Sequence, residues 1–307
     1  MPWTGPATGS HPWQTPRVRH VYDCPLRWAD MDSLGHVNNV VYVDYLQESR
    51  VDMMRVHAPG PEAAELAEGV VVVAHELEYV RPLVYSSVPV RIELWAEEIR
   101  AASFRLGYEV VSPGPERHVY LRASSVLAPF VFTSGRPRRI TADERQFLGR
   151  TSDEPVVERG PRLDVRGLLD HPVTHTYDCR IRWSDIDAYN HVNNVQYVEF
   201  FQEARIALMT ALGAGSSDRG PVGGFVVARF DITYARPIEF RLEPVAVSSW
   251  VTRIGRSSFE VRGAVHDGET VFAASRAVLV GFDPAAGRSR AMSGDERTAL
   301  GRALVES

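Results

Sequence analysis

Two short runs carry the residue types that acyl chemistry needs. The first holds Asp30, Asp32, His36, Asn38 and Asn39, and the second holds Asp185, Asp187, His191, Asn193 and Asn194 at the same spacing. Each reads Asp-x-Asp, then a His four residues after the second Asp, then Val-Asn-Asn, just ahead of a long stretch with helical periodicity. A carboxylate can act as nucleophile or general base toward an acyl carbonyl. Free N–H groups at a helix start can polarise that carbonyl and hold its developing oxyanion. Asn side chains can cap the helix and orient a water. Asp32, Asp187, His36, His191, Asn39 and Asn194 are the catalytic candidates, and Asn38 and Asn193 are expected to bind substrate. Asp30 and Asp185 are expected to hold the loop or pair with an Arg.

The two runs belong to an internal repeat. Between residues 22–50 and 177–205, 17 of 29 positions are identical. Repetition is the first feature to settle in a sequence, because it fixes the domain plan. The expected plan is a flexible leader over 1–16, one domain over 17–149, a linker rich in Gly, Pro and charge over 150–172, and a second domain over 173–307. The leader has no apolar core of a signal peptide, so the chain is expected in the cytoplasm.

Each half reads β-α-β-β-β-β. Residues 17–28 form a first strand, and a helix follows from about Asn39 to His57. Tyr42, Val43, Leu46, Met53 and Met54 line one side of it, and the same offsets give Tyr197, Val198, Phe201, Leu208 and Met209. Ala58-Pro59-Gly60-Pro61 and Ala214-Gly215-Ser216-Ser217 should end the two helices. Strands are expected over 70–80, stopped by Arg81-Pro82, over 88–99 and 103–111, where apolar and polar residues alternate, and over 117–132. Thr141–Gly149 and Ser293–Val305 read as terminal helices with capping boxes. The order excludes a doubly wound or barrel fold, where strands and helices alternate throughout. It implies an α+β architecture, with one antiparallel sheet wrapped around one long helix in each half.

Composition narrows the function. The net charge is −5 and hydrophobic residues make up 44%, which supports two packed cores and argues against nucleic-acid or anionic-membrane partners. All 34 basic residues are Arg, spread through both halves. Cys24 and Cys179 occupy one position of the repeat and read as buried reduced thiols rather than a disulfide or zinc site. No apolar run approaches the roughly 18 residues of a membrane span. No metal cluster, phosphate loop or nucleophile elbow is present.

A strand, Asp-x-Asp-x-x-Gly-His-Val-Asn-Asn, a long helix with Glu-x-Arg, and a strand ending Tyr-x-Arg-Pro together resemble the hotdog-fold thioesterases. The resemblance is strongest to the branch of 4-hydroxybenzoyl-CoA thioesterase and the small acyl-CoA thioesterases. It covers both halves and implies a tandem hotdog chain that forms its own pseudo-dimer, with further homo-oligomerisation left open. It implies that Asp32 and Asp187 are the catalytic carboxylates and that the N–H groups of Asn39 and Asn194 face the thioester carbonyl. The implied reaction is hydrolysis of acyl-CoA without a cofactor, coenzyme A being part of the substrate. By family position, Arg100 and Arg256 are candidates for the coenzyme A phosphates, with Ser103 and Ser258 beside them; the family's Lys in that run is replaced by Ala102 and Ser257.

The second copy also resembles plant acyl-ACP thioesterases. Asp187 and His191 match their spacing, but Asn190 stands one place later than the family Asn, and Gly35 holds that place in the first copy. Acyl-ACP hydrolysis and a non-catalytic acyl-thioester-binding module are therefore the alternatives. Hotdog dehydratases fit less well, since their Asn-Pro motif is missing. Both copies keep the whole run, so two working sites per chain are expected; if one alone worked, Asn190-His191 would favour the second. Glu48/Arg50 and Glu203/Arg205 lie two apart on their helices and do not face each other. They are expected to be structural or to contact the opposite half.

Overall fold

Alternating apolar residues fold each half into an antiparallel sheet, and a computed structural model describes residues 19–55, 66, 69–160, 163–170, 174–213, 224–283 and 285–305. The leader and the segments expected to end the long helices lie outside the described residues. In the first half the strands are β1 (His20–Cys24), β2 (Val70–Tyr79), β3 (Val90–Ile99), β4 (Phe104–Val111), β5 (Val119–Val131) and the short β6 (Arg136–Pro137). The second half has β7 (His175–Cys179), β8 (Phe225–Tyr234), β9 (Val245–Ile254), β10 (Ser258–His266), β11 (Val271–Asp283) and the short β12 (Arg288–Ser289). Between β1 and the first long helix, Trp28–Asp30 makes a 3-10 turn, and Trp183–Asp185 does the same in the second half.

The two long helices are α1 (Val41–Arg55) and α3 (Asn194–Leu212). They bury more than an amphipathic stripe. Tyr45, Ser49 and Arg50 are buried on α1 beside the expected apolar residues, and Phe200, Ala204 and Arg205 are buried on α3. A helix enclosed by its own sheet and a partner helix has little face left for water. α3 ends at Leu212 because Gly213 adopts φ 64°, the left-handed cap that favours glycine. The terminal helices are α2 (Ala142–Arg150) and α4 (Gly294–Gly301). Their capping boxes form as expected: Thr141 Oγ1 accepts from Glu144 N at 3.2 Å and Ser293 Oγ from Glu296 N at 3.1 Å. The last helix is shorter than expected, ending at Gly301.

The halves join edge to edge. The strand order is β1-β3-β4-β5-β2-β8-β11-β10-β9-β7, with β2 antiparallel to β8. In that central pair Leu77 faces Phe230, Glu76 faces Asp231 and His75 faces Ile232. One continuous apolar core draws on both halves, from Leu46 and Met53 to Phe201 and Met209. Packing is conserved by compensation. A Cβ on Gly263 would sit 3.0 Å from the Phe201 ring. In the first half the same two positions hold Tyr108 and Leu46, so the large residue has moved from helix to strand.

The stretch between the halves is pinned to the sheet's outer face rather than loose. Asp153 N donates to Ala96 O at 3.0 Å, Trp95 Nε1 to Glu154 O at 2.9 Å, and Arg229 Nη2 to Glu158 O at 3.0 Å. It thus runs from β3 to β8. Among the described residues no helix is long and apolar enough to cross a membrane. Cys24 and Cys179 are buried free thiols, and burial pushes them up to about 12 and about 11, so both stay protonated.

Candidate active site

The acidic loops are shaped by backbone bonds before any chemistry. Asp32 N donates to His36 O at 2.8 Å, and Gly35 N to Asp32 O at 3.0 Å. Asp32 Oδ1 accepts from Leu34 N at 2.9 Å, a local turn that leaves the second carboxylate oxygen free for other partners. Asp187 repeats this with Tyr189 N at 2.8 Å. The turn needs a left-handed residue, Gly35 at φ 77° and Asn190 at φ 63°. The place of Asn190 is thereby explained: Asn is among the few residues other than Gly that take this conformation readily.

Neighbouring polar residues lock the loops. Asp30 is buried and accepts from Arg27 N and Arg27 Nε, each at 2.8 Å, and from Tyr45 OH at 2.5 Å. Asp185 accepts from Arg182 N at 2.7 Å; Phe200 replaces the tyrosine there. Asn38 and Asn193 cap the long helices, their Oδ1 atoms accepting from Val40 N at 2.9 Å and Val195 N at 3.0 Å. Those oxygens are therefore committed to the helix start. Tyr79 OH donates to Asn39 O and Tyr234 OH to Asn194 O, both at 2.8 Å, so each strand end grips its helix entrance.

A cavity of about 400 Å³ opens at the first copy. One wall is Asp32, His36 and Asn39 with the start of α1; the other is Gln202, Arg205 and Ile206 of α3 with the ends of β8 and β11. The site is therefore built across the two halves. Asn39 N donates to no described acceptor, and Asn39 Nδ2 is buried without a partner. Unsatisfied donors at a helix start, where the dipole is positive, favour an oxygen that gains negative charge. His36 lies edge-on to Phe282, 6.5 Å between ring centroids.

The second copy differs in three contacts. Tyr189 stacks on Phe132 at 4.3 Å, with His191 6.5 Å from the same ring. Leu34 is the first-copy equivalent of Tyr189. Asn194 Nδ2 lies 3.3 Å from His75 Nε2, where the first copy has Phe230 at the position of His75. His75 Nδ1 lies 2.7 Å from Ser125 Oγ. Burial, reinforced by the Arg50 charge, pushes the imidazole down to about 3, so it is neutral at physiological pH. With Asn194 Nδ2 donating, Nε2 is the acceptor and Nδ1 carries the proton.

Arg100, Ser103 and Arg256 sit on turns and Ser258 at the start of β10, all four outside the cavity wall. Arg100 is exposed and pairs with Glu98 at 2.8 Å. Arg256 is exposed on a turn whose Ser257 O accepts from Gly281 N at 2.8 Å, next to the Phe282 that lines the cavity. That turn belongs to the opposite half from Asp32, as does the Arg205 wall. Sequence reasoning missed His75, Ser125, Gln202 and Arg81, the last at the cavity edge. The one available signal was a His among the valines of β2, facing inward in step with Leu77. Among the described residues no group of three His, Cys, Asp or Glu side chains is placed to hold a metal.

An antiparallel sheet wrapped around a helix, doubled, with an acid opposite a helix start, defines a hotdog thioesterase architecture. The chain belongs to the thioesterase-like superfamily, whose sequence profile matches residues 26–148 and 181–300, and it is a thioester hydrolase by class. No curated protein matches the chain. Among solved structures, an acyl-ACP thioesterase from Bacteroides thetaiotaomicron is similar, with 17% identity, a TM-score of 0.63, and coverage of 85% of this chain and 97% of that one. The 12:0-ACP thioesterase of Umbellularia californica gives 14% identity and a TM-score of 0.66, covering 86% of this chain and 94% of that one. A Lactobacillus plantarum chain assigned as an oleoyl thioesterase gives 13% identity and a TM-score of 0.67, covering 87% and 98%. At these identities the likeness is one of fold, and it extends through both repeats.

Proposed function

We propose that the protein hydrolyses acyl-CoA to a free acid and coenzyme A, chiefly at the first-copy site, in the manner of the 4-hydroxybenzoyl-CoA and small acyl-CoA thioesterase branch. The observation that carries this reading is the cavity lined by both Asp32 and Asn39, where Asn39 N–H has no described acceptor. Asp32 attacks the thioester carbon or takes a proton from the attacking water. Negative charge grows on the carbonyl oxygen, where Asn39 N–H and the α1 dipole receive it. The C–S bond breaks and the thiol leaves with a proton. Water supplies the hydroxyl of the acid. His36 orients the water or the carbonyl, and Arg256, on the neighbouring turn, is the candidate for the nucleotide phosphates.

Equal activity of the two copies is not part of this reading. The Tyr189–Phe132 stack stands in the turn that holds Asp187, and His75 engages the amide of Asn194. A second reading, acyl-ACP hydrolysis, draws on the names of two structural relatives that share the doubled fold. The net charge of −5 weighs against a carrier-protein dock, which needs a basic face. The experiment is thiol release from short, long and aromatic acyl-CoAs and from the matching acyl-ACPs. Faster kcat/KM with coenzyme A thioesters supports the first reading; a clear preference for acyl-ACP replaces it with the second.

A further inference from the structure

Arg205 is the least expected group in the cavity. It is 5% exposed, in the middle of α3, and lines the space facing Asp32 and Asn39. It makes no hydrogen bond or ion pair with any described residue. Asp32 is the one carboxylate among the described residues that line the cavity, and it does not pair with Arg205. Two ionisable groups act on the guanidinium, Tyr79 and Glu203. Tyr79 is a neutral phenol whose ionisation burial further opposes. Glu203 is exposed and two residues away on the helix, so it does not share the cavity-facing side. Burial lowers Arg205 to about 10, which still leaves it charged at neutral pH.

A buried guanidinium without a counter-ion is costly to the free protein. A plain alkyl chain laid against it would exclude water without supplying an anion. The thioester carbonyl does not answer the need, since it is neutral in the ground state and already faces Asn39 N–H. The rest of the wall gives direction. Ile206, Val227, Ala228 and Leu279 are apolar, while Gln202, one turn before Arg205 on the same helix, adds an amide donor. A guanidinium fork beside an amide, in an apolar wall, matches a carboxylate held by several donors. The pseudo-twofold mate repeats the feature: Arg50 is 7% exposed and its Nη1 is buried without a partner.

We propose that Arg205, supplied by the second half, is the specificity residue of the first-copy site and binds a carboxylate on the acyl chain, making ω-carboxyacyl thioesters the preferred substrates over plain alkanoyl thioesters. This rests on the thioesterase reading above. The test compares chains of equal length with and without the terminal carboxylate: adipoyl- against hexanoyl-CoA and malonyl- against propanoyl-CoA, each with an enzyme-free blank. Full-length wild type, Arg205→Met and Arg205→Lys are assayed for kcat and KM. Wild type should prefer the carboxylated member of at least one pair by about tenfold or more, the size expected for a desolvated charge pair. Arg205→Met should lose that preference through a raised KM on the carboxylated substrate, with the alkanoyl partner unchanged or faster. Arg205→Lys should fall between.

No preference in either pair for wild type overturns the proposal, and that result needs no variant to fold. An equal loss on both members assigns Arg205 to the shared thioester carbonyl or to stability, and also overturns it. If wild type hydrolyses none of the four, hydrolysis of these thioesters is excluded, and the wider acyl-CoA and acyl-ACP panel above judges the thioesterase reading separately. Calorimetric binding of adipoyl- and hexanoyl-CoA then decides this inference: tighter adipoyl binding that Arg205→Met abolishes sustains it, and equal or absent binding ends it.

Discussion

Asn194 Nδ2 lies 3.3 Å from His75 Nε2, whereas Asn39 Nδ2, its counterpart in the other copy, is buried with no partner. The amide nearest each helix entrance is thus occupied in one site and free in the other. The repeat supplied the same Asn to both sites, and a single strand position, His75 against Phe230, separates them.

His75 should make stability depend on pH. Its ordinary value is 6.5 and burial lowers it to about 3 in the native state. The unfolded chain therefore binds a proton first as pH falls, so this contribution to stability is whole above about 6.5 and declines down to about 3. The loss amounts to about 1.4 kcal/mol per pH unit, or about 2 kcal/mol from pH 6.5 to pH 5. Urea unfolding of wild type and His75→Gln at pH 7.5 and pH 5 reads it out. The variant should show the smaller drop; equal drops would remove His75 as the cause.

Gly35 should accept Asn better than Ala. Its φ of 77° penalises side chains with a Cβ by about 1 kcal/mol, and Asn190 already fills this turn in the second copy. Gly35→Ala should lower stability by about that amount and reduce kcat, because the turn orients Asp32. Gly35→Asn should retain most of both. Equal damage from the two changes would mean that space, rather than backbone conformation, governs the turn.

Opening the second site should create activity. Tyr189→Leu copies Leu34 and removes the stack on Phe132. In an Asp32→Asn background, this change should raise residual turnover several-fold. With the melting curve unchanged, no gain would show that the stack is not what limits Asp187.

The halves should fail to fold apart. β2 pairs with β8, and the core crosses between them, so a separated half would expose an unpaired strand edge and apolar surface. Expression of 1–155 and 160–307 alone should give aggregated or non-cooperative material. Two soluble, monomeric fragments with cooperative melts would contradict this.

What the sequence disclosed was local. The repeat, both long helices, the capping residues Thr141 and Ser293, and the alternating strands follow from short-range spacing, and the structure has them within a few residues. The contacts that distinguish the two sites are long-range. His75 meets Asn194 from the other half, and Tyr189 meets Phe132 across the same divide. Arg205 gave only a hint, since spacing placed it away from Glu203 but could not say which cavity it enters. Asn38 and Asn193, expected to bind substrate, commit their Oδ1 atoms to capping the long helices. Arg100 and Arg256 were placed by family position alone, and both stand on exposed turns rather than in the cavity wall.

The central claim is that Asp32, lining one cavity with Asn39, carries thioester hydrolysis. Replacing it by Asn keeps the shape and removes the charge that attack or base catalysis requires. The measurement is kcat per chain on the best acyl thioester for wild type, Asp32→Asn, Asp187→Asn and the double variant. Asp32→Asn should fall by roughly 10²–10⁴-fold, close to the double variant, while Asp187→Asn keeps most of the activity. An Asp187→Asn protein as inactive as the double variant, beside a fully active Asp32→Asn protein, would contradict the account and move the working site to the second copy.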